Sequence, residues 1–271
     1  LLLCHPHSRI YTIILDTTNV TVDDKTGKTK DYIFRVCFID PFQGTLMAQF
    51  AADNLNAKNA VIYCDNSSDY GKGLAQYFEK TFTEKGGVIL AKEGFVKDDR
   101  DFRATLTKIK SLNPDFIYVP GYYQEVAPLI KQARELGITV PIGGCDGWDS
   151  PDMVSVAGPE ALNNTYFTNH YSSQDKDPKV VKFVEAFKAK YNKDPDAFAA
   201  LGYDSVQIMV QGLKDAGEAD PVKLKEALEK IKDFEGVTGK MSIDDQHNPV
   251  KAGVIIEFKD GKQVMNTRIQ P

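Results

Sequence analysis

The amino-acid sequence predicts an α/β protein built on a mostly parallel, doubly wound sheet. From Phe34 to Phe167, short apolar runs alternate with amphipathic segments, and this order is typical of repeated β-α-β units. The apolar runs are continuous, which indicates strands that helices cover on both faces. With 271 residues, of which 42% are hydrophobic, the chain is long enough for one large domain or two lobes.

Apolar spacing and turn residues define the elements of this stretch. Leu74, Phe78 and Phe82 recur at every fourth residue, so they share one face of a helix that Gly86-Gly87 ends. The predicted strands are Ile33–Ile39, Ala60–Cys64, Val88–Ala91, Phe116–Val119, Val140–Ile142 and Thr165–Thr168. The predicted helices are Phe42–Asn56, Gly71–Lys85, Phe102–Leu112, Gln124–Leu136 and Pro151–Val156.

After His170 the sequence predicts helices without intervening strands. Asp177-Pro178 and Asp220-Pro221 each place an N-cap residue before a proline, which is the usual start of a helix. Between them, Asp196–Leu213 carries little charge, and this predicts a well-buried helix. We therefore expect three helices in this part of the chain.

These three helices have few predicted strands to cover. Only Tyr11–Leu15 and Ile33–Ile39 read as strands before the first predicted helix. The next strand signal is Gly253–Phe258, where Asp260-Gly261 predicts a hairpin turn into Gln263–Thr267. We therefore expect one lobe to be short of its sheet.

Composition argues against several classes of protein. The net charge is −5, so no excess of basic residues favours a nucleic-acid partner. No stretch approaches the roughly 18 apolar residues of a membrane span. Cys4, Cys37, Cys64 and Cys145 match no zinc spacing and are expected to be small buried hydrophobes, although their disulfide state stays open.

The amino-terminal residues Leu1–Ser8 permit two functional interpretations that the remaining sequence does not support. Cys4, His5 and His7 have the spacing of a partial metal site, but no second cluster of ligands follows. A lipid-attachment signal needs a small residue where Leu3 stands, and it needs a basic region before the apolar run. We expect a frayed or non-native end, with no signal peptide, no metal and no cofactor.

Three consecutive strand ends each supply a residue suited to a small zwitterion. Tyr70, Tyr122 and Asp146 follow three neighbouring predicted strands, and ligands of open α/β sheets bind at the carboxyl ends of strands. Two rings and a carboxylate suit an ammonium group on an apolar body. His170 and His247 are isolated in the sequence and are expected in crossover or loop positions, so no nucleophile–base pair is suggested.

The order and spacing of several short motifs resemble the periplasmic leucine/isoleucine/valine-binding proteins. No single motif is decisive, but the ordered set is specific, and the resemblance extends from about Tyr32 to Phe258. The motifs are Asp69-Tyr70-Gly71-Lys72-Gly73-Leu74-Ala75, Asp101-Phe102, Asn113-Pro114-Asp115, Gly121-Tyr122-Tyr123-Gln124-Glu125, Lys131-Gln132-Ala133-Arg134-Glu135-Leu136-Gly137 and Gly144-Cys145-Asp146-Gly147.

The resemblance implies the type I periplasmic-binding fold, in which crossing strands join two doubly wound lobes. It assigns residues 41–170 and 255–271 to the C-lobe, and residues 1–40 and 171–254 to the N-lobe. Compared with the family pattern, the chain lacks a signal peptide and about the first eighty residues that follow it, so we expect a partial N-lobe. The implied protein is extracytoplasmic, in the periplasm or lipid-anchored on the outer face of the cytoplasmic membrane.

The resemblance also implies a function and a set of ligand-binding residues. The function is non-enzymatic capture of a branched-chain aliphatic amino acid between the lobes, for delivery to the membrane permease of an ABC importer. Asp146 would bind the ligand ammonium group, while Tyr70, Tyr122 and Phe198 would enclose its side chain. Each also has a structural interpretation: Asp146 as a polar turn residue, and the aromatic residues as packing residues.

A threonine before the first crossover is also part of the family pattern. Thr17 or Thr18 stands where this residue is expected, and it would bind the ligand carboxylate. Asp16 departs from the pattern, because a carboxylate beside the ligand carboxylate would repel it. The assignment of this segment therefore depends on the resemblance.

Other functions stay open from sequence alone. A regulatory domain of the same fold would sense an amino acid or amide through a partner protein, and an enzyme would use an acid in the same crevice. The preferred amino acid is also open, because one methylene is worth only about 1–3 kcal/mol. The family resemblance implies a monomer, whereas an incomplete lobe would expose apolar surface and favour association between copies.

Overall fold

The computed structural model describes residues 12–14, 20–23 and 25–270 of the chain. The strands are β1 (Thr12–Ile14), β2 (Ile33–Arg35), β3 (Asn59–Asp65), β4 (Val88–Phe95), β5 (Phe116–Tyr118), β6 (Ile142–Gly144), β7 (Thr165–Asn169), β8 (Phe234–Gly236), β9 (Gly239–Ile243), β10 (Pro249–Lys251), β11 (Gly253–Lys259) and β12 (Lys262–Ile269). The helices are α1 (Asp40–Gln49), α2 (Asp69–Glu84), α3 (Arg103–Ser111), α4 (Tyr123–Glu135), α5 (Asp152–Ala157), α6 (Pro178–Tyr191), α7 (Ala197–Ala216) and α8 (Pro221–Glu229). None of the helices described here is long and apolar enough to cross a membrane.

The chain divides into two units. The first unit comprises the described parts of Leu1–Ile39, Ser173–Ala252 and Gln270–Pro271, and the second comprises Asp40–Ser172 and Gly253–Ile269. Each unit is therefore assembled from separate stretches of sequence.

A seven-stranded sheet forms the centre of the second unit. Its order is β12-β11-β7-β6-β5-β3-β4. The five strands from β7 to β4 pair in parallel, whereas β11 pairs antiparallel with both β7 and β12. The sequence-based prediction of a mostly parallel α/β sheet is confirmed.

The second unit has a continuous apolar core on both sides of its sheet. Leu74, Phe78 and Phe82 on α2 are fully buried, as their fourfold spacing predicts. Phe78 stacks on Tyr118 of β5 with a ring separation of 4.2 Å. Burial of these large rings supplies a major part of the hydrophobic stabilisation.

A single arginine connects the loops at the amino-terminal ends of β6 and β7. The guanidinium group of Arg134 donates to the carbonyl groups of five residues: Ile138, Val140, Ala161, Asn163 and Asn164. Burial lowers the pKa of Arg134 to about 10. The side chain therefore remains a cation at neutral pH.

The first unit contains two small sheets. The strands β1 and β2 pair in parallel, and β10, β9 and β8 form an antiparallel sheet in that order. Helices α7 and α8 pack together around a core that includes Phe34, Leu201, Ile208 and Leu224.

A buried polar cluster joins α7 to the β8–β9 turn and to β10. Both carboxylate oxygens of Asp204 accept backbone N–H groups, from Val237 and Thr238 at 2.8 Å each. The Thr238 hydroxyl donates to Asp204 Oδ2 at 2.7 Å and accepts from Lys251 Nζ at 2.8 Å. Asp204 and Lys251 are both buried, so this network satisfies charged groups inside the protein.

The predicted elements are largely confirmed, with three corrections. The helix predicted over Asp196–Leu213 is present as α7, but the prediction that it is well buried is wrong, because Tyr203, Val206 and Val210 are exposed. The sequence indicated no strand between residue 171 and Gly253, and this is wrong because β8, β9 and β10 lie there. Their three to five residues mix polar and apolar types, so they give a weak periodic signal. The strand predicted at Ile33–Ile39 ends at Arg35, and the Asp260-Gly261 turn joins β11 to β12 as expected.

The cysteine prediction is confirmed where the structure describes it. Cys37, Cys64 and Cys145 are all buried. Cys4, and with it the metal-site and lipid-signal interpretations of the amino-terminal residues, lies outside the described residues. No group of three or more His, Cys, Asp or Glu residues able to hold a metal ion occurs within the described ranges.

Candidate functional site

The carboxyl ends of β3, β5 and β6 lie side by side in the second unit. These three strands are consecutive in the parallel part of the sheet. The loops that follow them carry Tyr70, Tyr122 and Asp146. The sheet therefore brings together the three residues that the sequence predicted at one edge.

The start of α2 positions Tyr70. The Ser68 side chain caps the helix by accepting the Gly71 N–H at 3.1 Å. A Cβ atom at Gly71 would lie only 2.6 Å from the Asp65 carbonyl oxygen, so this close turn requires glycine. The turn directs the Tyr70 side chain into the buried cluster around Asp146.

The loops that carry Tyr122 and Asp146 also approach each other closely. Tyr122 is the N-cap residue of α4, and Asp146 begins a 3₁₀ turn that follows β6. A Cβ atom at Gly147 would lie 2.9 Å from the Gly121 carbonyl oxygen. The absence of a side chain at Gly147 therefore lets the two loops meet.

Three side chains contact the Asp146 carboxylate. Oδ1 accepts a hydrogen bond from the Tyr70 hydroxyl and another from the Gln43 Nε2, the latter at 3.0 Å. Oδ2 lies 3.0 Å from the Nε2 of His170. A carboxylate has about four acceptor positions, so these donors leave one position on Oδ2 among the described contacts.

Gln43 extends the cluster toward β7. Its side-chain oxygen accepts the Asp146 backbone N–H at 3.2 Å and the Thr168 hydroxyl at 2.8 Å. Gln43 and Thr168 are fully buried. These contacts fix the backbone and the side chain of Asp146 together, which favours a single orientation of its carboxylate.

The two tyrosine rings differ in their access to solvent. Tyr70 and Tyr122 are stacked, with centroids 5.2 Å apart and planes inclined by 27°. Tyr70 is buried, whereas 43% of Tyr122 is exposed. Tyr122 therefore presents an aromatic surface next to the buried polar cluster.

Electrostatics keep the Asp146 carboxylate ionised. Burial raises the pKa of Asp146, but the hydrogen bond and charge of His170 and the bonds from Tyr70 and Gln43 lower it overall. Burial and the charge of Asp146 raise the pKa of the Tyr70 hydroxyl well above its usual value. Tyr70 is therefore a proton donor and Asp146 an ionised acceptor at neutral pH.

The neighbouring thiol is not an activated nucleophile. Burial, together with the charge of Asp146, raises the pKa of Cys145 to about 12. A thiol with this pKa stays protonated at neutral pH, and only the thiolate is an effective nucleophile. The arrangement is suited to binding a cation through an ionised carboxylate and an aromatic ring.

The other predicted residues are not tested by the geometry of this cluster. Phe198 is an exposed residue near the start of α7, in the first unit, and its role in ligand binding stays a prediction. Thr17 and Thr18 lie outside the described residues. Trp148, two residues after Asp146, is fully buried, and its indole lies against Gly144.

His170 lies in a loop position, as expected, but its side chain is not isolated in the structure. This residue follows β7 directly, and β7 is the parallel neighbour of β6, so its side chain reaches Asp146. His247 is also buried: it stacks on Phe34 and lies 3.1 Å from Glu229. Asp146 was predicted because it follows the carboxyl end of a parallel strand. The same reasoning, applied to the end of β7, identifies His170.

Comparison with known proteins identifies the family to which this chain belongs. Residues 9–263 match the family model described as periplasmic binding protein. The chain therefore belongs to the periplasmic binding protein family, and its mixed α/β architecture is the type I periplasmic-binding-protein fold of the similar solved structures below.

Two solved structures are similar in both sequence and fold. A leucine binding protein from Thermotoga maritima is 40% identical, with a TM-score of 0.82 over 89% of this chain and 69% of that one. A branched-chain amino acid transporter substrate binding protein from Streptococcus pneumoniae, solved with isoleucine, is also 40% identical. Its TM-score is 0.81 over 92% of this chain and 71% of that one.

A curated relative shows how much of a family member this chain represents. The leucine-, isoleucine-, valine-, threonine- and alanine-binding protein of Pseudomonas aeruginosa is 31% identical over 235 residues. The match covers 86% of this chain but 62% of that protein. The chain thus spans about three fifths of the length of this relative.

Proposed function

We propose that the second unit carries an ammonium-binding subsite for a branched-chain aliphatic amino acid. The observation that carries this proposal is the ionised, oriented carboxylate of Asp146 beside the exposed ring of Tyr122. The one acceptor position left on Oδ2 would take an N–H of the ligand ammonium group. The names of the similar proteins support leucine, isoleucine or valine as the ligand.

The contacts of Asp146 suggest how the subsite selects a cation. Three protein donors hold the carboxylate in place, so little conformational entropy is lost when a ligand binds. The Tyr122 ring would pack on the ligand and attract its ammonium group by a cation–π interaction. Both features favour an amine with an apolar body over an anion or a neutral sugar.

The proposed activity is binding without catalysis. Cys145 is protonated, and Asp146 is engaged by three donors rather than paired with a nucleophile. Within the proposed function the chain is the substrate-capturing component of an ABC importer, it acts outside the cytoplasm, and it delivers ligand to a membrane permease. Location in the periplasm or on a lipid anchor belongs to the same proposal.

The proposal is tested by titration with leucine, isoleucine and valine. Trp148 is the single tryptophan of the chain and is close in sequence to Asp146, so its fluorescence reports on this edge of the sheet. We expect saturable changes with all three amino acids in the wild type. Asp146→Asn should weaken binding by about two to three orders of magnitude, because a charge-assisted contact is lost.

A matched control separates this effect from a general loss of charge. Asp149→Asn removes a carboxylate three residues away whose described partner is Gln263 at 3.0 Å, and it should keep near wild-type affinity. Equal affinities of the wild type and Asp146→Asn, both folded by circular dichroism, would exclude Asp146 from the site. Failure of the wild type to bind any of the three amino acids would reject the ligand class.

A further inference from the structure

Among the three described side-chain donors to Asp146, His170 is the one whose charge changes near neutral pH. Its Nε2 lies 3.0 Å from Oδ2, the same oxygen that carries the acceptor position assigned to the ligand ammonium group. An ionised carboxylate only accepts hydrogen bonds, so Nε2 carries a hydrogen, and the ring is either neutral in this tautomer or a cation. The Gln43 amide does not titrate, and the Tyr70 hydroxyl keeps its proton because its pKa is raised.

His170 is held in a buried position at the end of β7. Its backbone N–H donates to the side-chain oxygen of Asn169 at 2.7 Å. The side chains of His170 and Asp146 are only 2% and 10% exposed. Solvent ions screen buried pairs weakly, so a charge on the ring acts strongly on the carboxylate.

The charges that meet at Oδ2 set a balance between proton and ligand. Without ligand, a protonated His170 neutralises Asp146. A ligand ammonium group added to this pair leaves a net positive charge in a buried place, which is costly. With a neutral ring, the ammonium group alone neutralises the carboxylate. Ligand binding therefore favours loss of the His170 proton, and by linkage that proton weakens ligand binding.

The weak acids around this pair stay neutral in the same pH range. Burial raises the pKa of Tyr70, on α2, and of Tyr118, on β5, well above the usual value. Burial also raises the pKa of Cys145 to about 12. The pKa of Asp146 is lowered from 3.8, so this carboxylate is already ionised in weak acid. The imidazole ring is therefore the group of this cluster that titrates near neutrality.

Two further acidic groups lie on the neighbouring elements. Asp40 is the first residue of α1 and Asp65 is the last residue of β3, and both are buried. A negative charge near an imidazole ring favours its protonated form and moves the pH at which it titrates. Both acids are retained when His170 is replaced, so a comparison with the wild type isolates the contribution of the ring.

We propose that His170 is a positioning residue of the amino-acid site, and that a proton on its ring competes with the ligand ammonium group for Oδ2 of Asp146. The inference rests on the proposed function and adds a dependence on pH to it. The neutral ring holds Oδ2 in place through its Nε2–H and leaves the negative charge to the ligand. The protonated ring neutralises the carboxylate itself, so the site releases its amino acid as the medium becomes acidic.

Calorimetry of leucine binding in buffers of different ionisation enthalpy gives the first test, since it counts the protons released. The wild type should release up to about one proton per ligand near about pH 6 and almost none near about pH 8. Its dissociation constant should rise toward acid pH by up to about tenfold per pH unit. His170→Gln keeps an Nε2 donor but does not titrate, so it should release no proton and bind equally well across this range.

A matched control uses the other buried histidine that the structure describes. His247 lies in the first unit with Nε2 3.1 Å from Glu229, so it is also an imidazole beside a carboxylate. His247→Gln should release protons on leucine binding as the wild type does. A release lost equally in both variants would contradict the assignment to His170.

A second test needs no ligand. NMR titration of the ring of His170, assigned by comparison with His170→Gln, reports the pH at which it gains its proton. In Asp146→Asn this titration should move to lower pH, because the carboxylate that stabilises the cation is gone. An unchanged titration would show that the two groups are not coupled and would overturn the proposal.

The outcomes separate this inference from the proposed function. Leucine binding by the wild type without proton release, and with one dissociation constant from about pH 6 to about pH 8, would overturn the inference and leave the function in place. Equal proton release by the wild type and His170→Gln would assign the proton to another group. Failure of leucine, isoleucine and valine to bind at any pH would reject the proposed function, and the competition at Oδ2 with it.

Discussion

Two buried aspartates, one in each unit, are surrounded by similar numbers of donors but differ in what those donors are. Asp204 is fully buried and accepts two backbone N–H groups and one hydroxyl, with Lys251 on the far side of that hydroxyl. Asp146 accepts from three side chains and lies beside an exposed ring. The comparison predicts that the carboxylate closed off by backbone donors serves the fold, and that the one oriented by side chains serves the proposed ligand site.

The difference predicts where each aspartate matters most. Replacement of Asp204 should affect stability before anything else, since its partners have no access to water. Replacement of Asp146 should affect ligand affinity, as described above for Asp146→Asn. The three predictions that follow test this division, from the largest expected effect to the smallest.

Asp204→Ala should lower the free energy of unfolding by roughly 3–5 kcal/mol, because it leaves Lys251 buried without a compensating charge. Urea denaturation measures this loss. Asp215→Ala, at an exposed position on the same helix, is the control and should change stability little. In the double variant with Lys251→Met the loss should be smaller than the sum of the single losses; strict additivity would show that the two charges are not coupled.

Lys251 should make stability depend on pH in the alkaline range. Burial lowers its pKa from 10.5 to about 8, with the charge of Asp204 opposing the change. Between these two values the unfolded chain binds more protons than the folded chain, so stability rises with pH through this window. The rise should be at most about 3 kcal/mol. Unfolding free energies measured across this window should rise in the wild type and less in Lys251→Met; parallel profiles would contradict the assignment.

Tyr70→Phe tests the side-chain donors of Asp146 and should have the smallest effect, about 1–2 kcal/mol of stability. The pKa of Asp146 is lowered in the folded state, so its contribution is lost as the pH falls through that value. Removal of the hydroxyl should move this acid transition to higher pH. Tyr166→Phe removes a hydroxyl bonded to Asn164 and should leave the transition in place. Acid titrations of unfolding that coincide for Tyr70→Phe and the wild type would refute the role of this donor.

Much of the second unit could be predicted from the sequence because its order repeats a simple physical rule. Strands of a parallel sheet place their carboxyl ends at one edge, so Tyr70, Tyr122 and Asp146 were expected together, and the structure places them together. Their role in ligand binding stays a prediction. This prediction succeeds because it requires only the positions of the strands, and the apolar runs of the sequence give those positions.

The partners of Asp146 could not be predicted in the same way. Gln43 is separated from Asp146 by 103 residues, and Thr168 is separated from Gln43 by 125. A polar residue on an amphipathic helix does not show from sequence alone that it faces the core. These contacts depend on how α1 packs against the sheet. The spacing of apolar residues along the chain does not predict that packing.

The first unit was less predictable because its polar core contradicts local expectations. Lys251 is buried although lysine is usually exposed, and Asp204 lies inside a helix of otherwise low charge. Short strands such as β8 and β10 carry no clear alternation. Tertiary contacts therefore decide this part of the structure.

Arg134 has a consequence for how the second unit can change over evolutionary time. The Arg134 guanidinium group binds five carbonyl groups at the amino-terminal ends of β6 and β7, whereas Asp146 follows the carboxyl end of β6. Lysine has too few donors in the right geometry to replace it. Because Arg134 holds the loops at one end of these strands, substitutions can accumulate at the other end, where the proposed site lies, while the sheet stays intact.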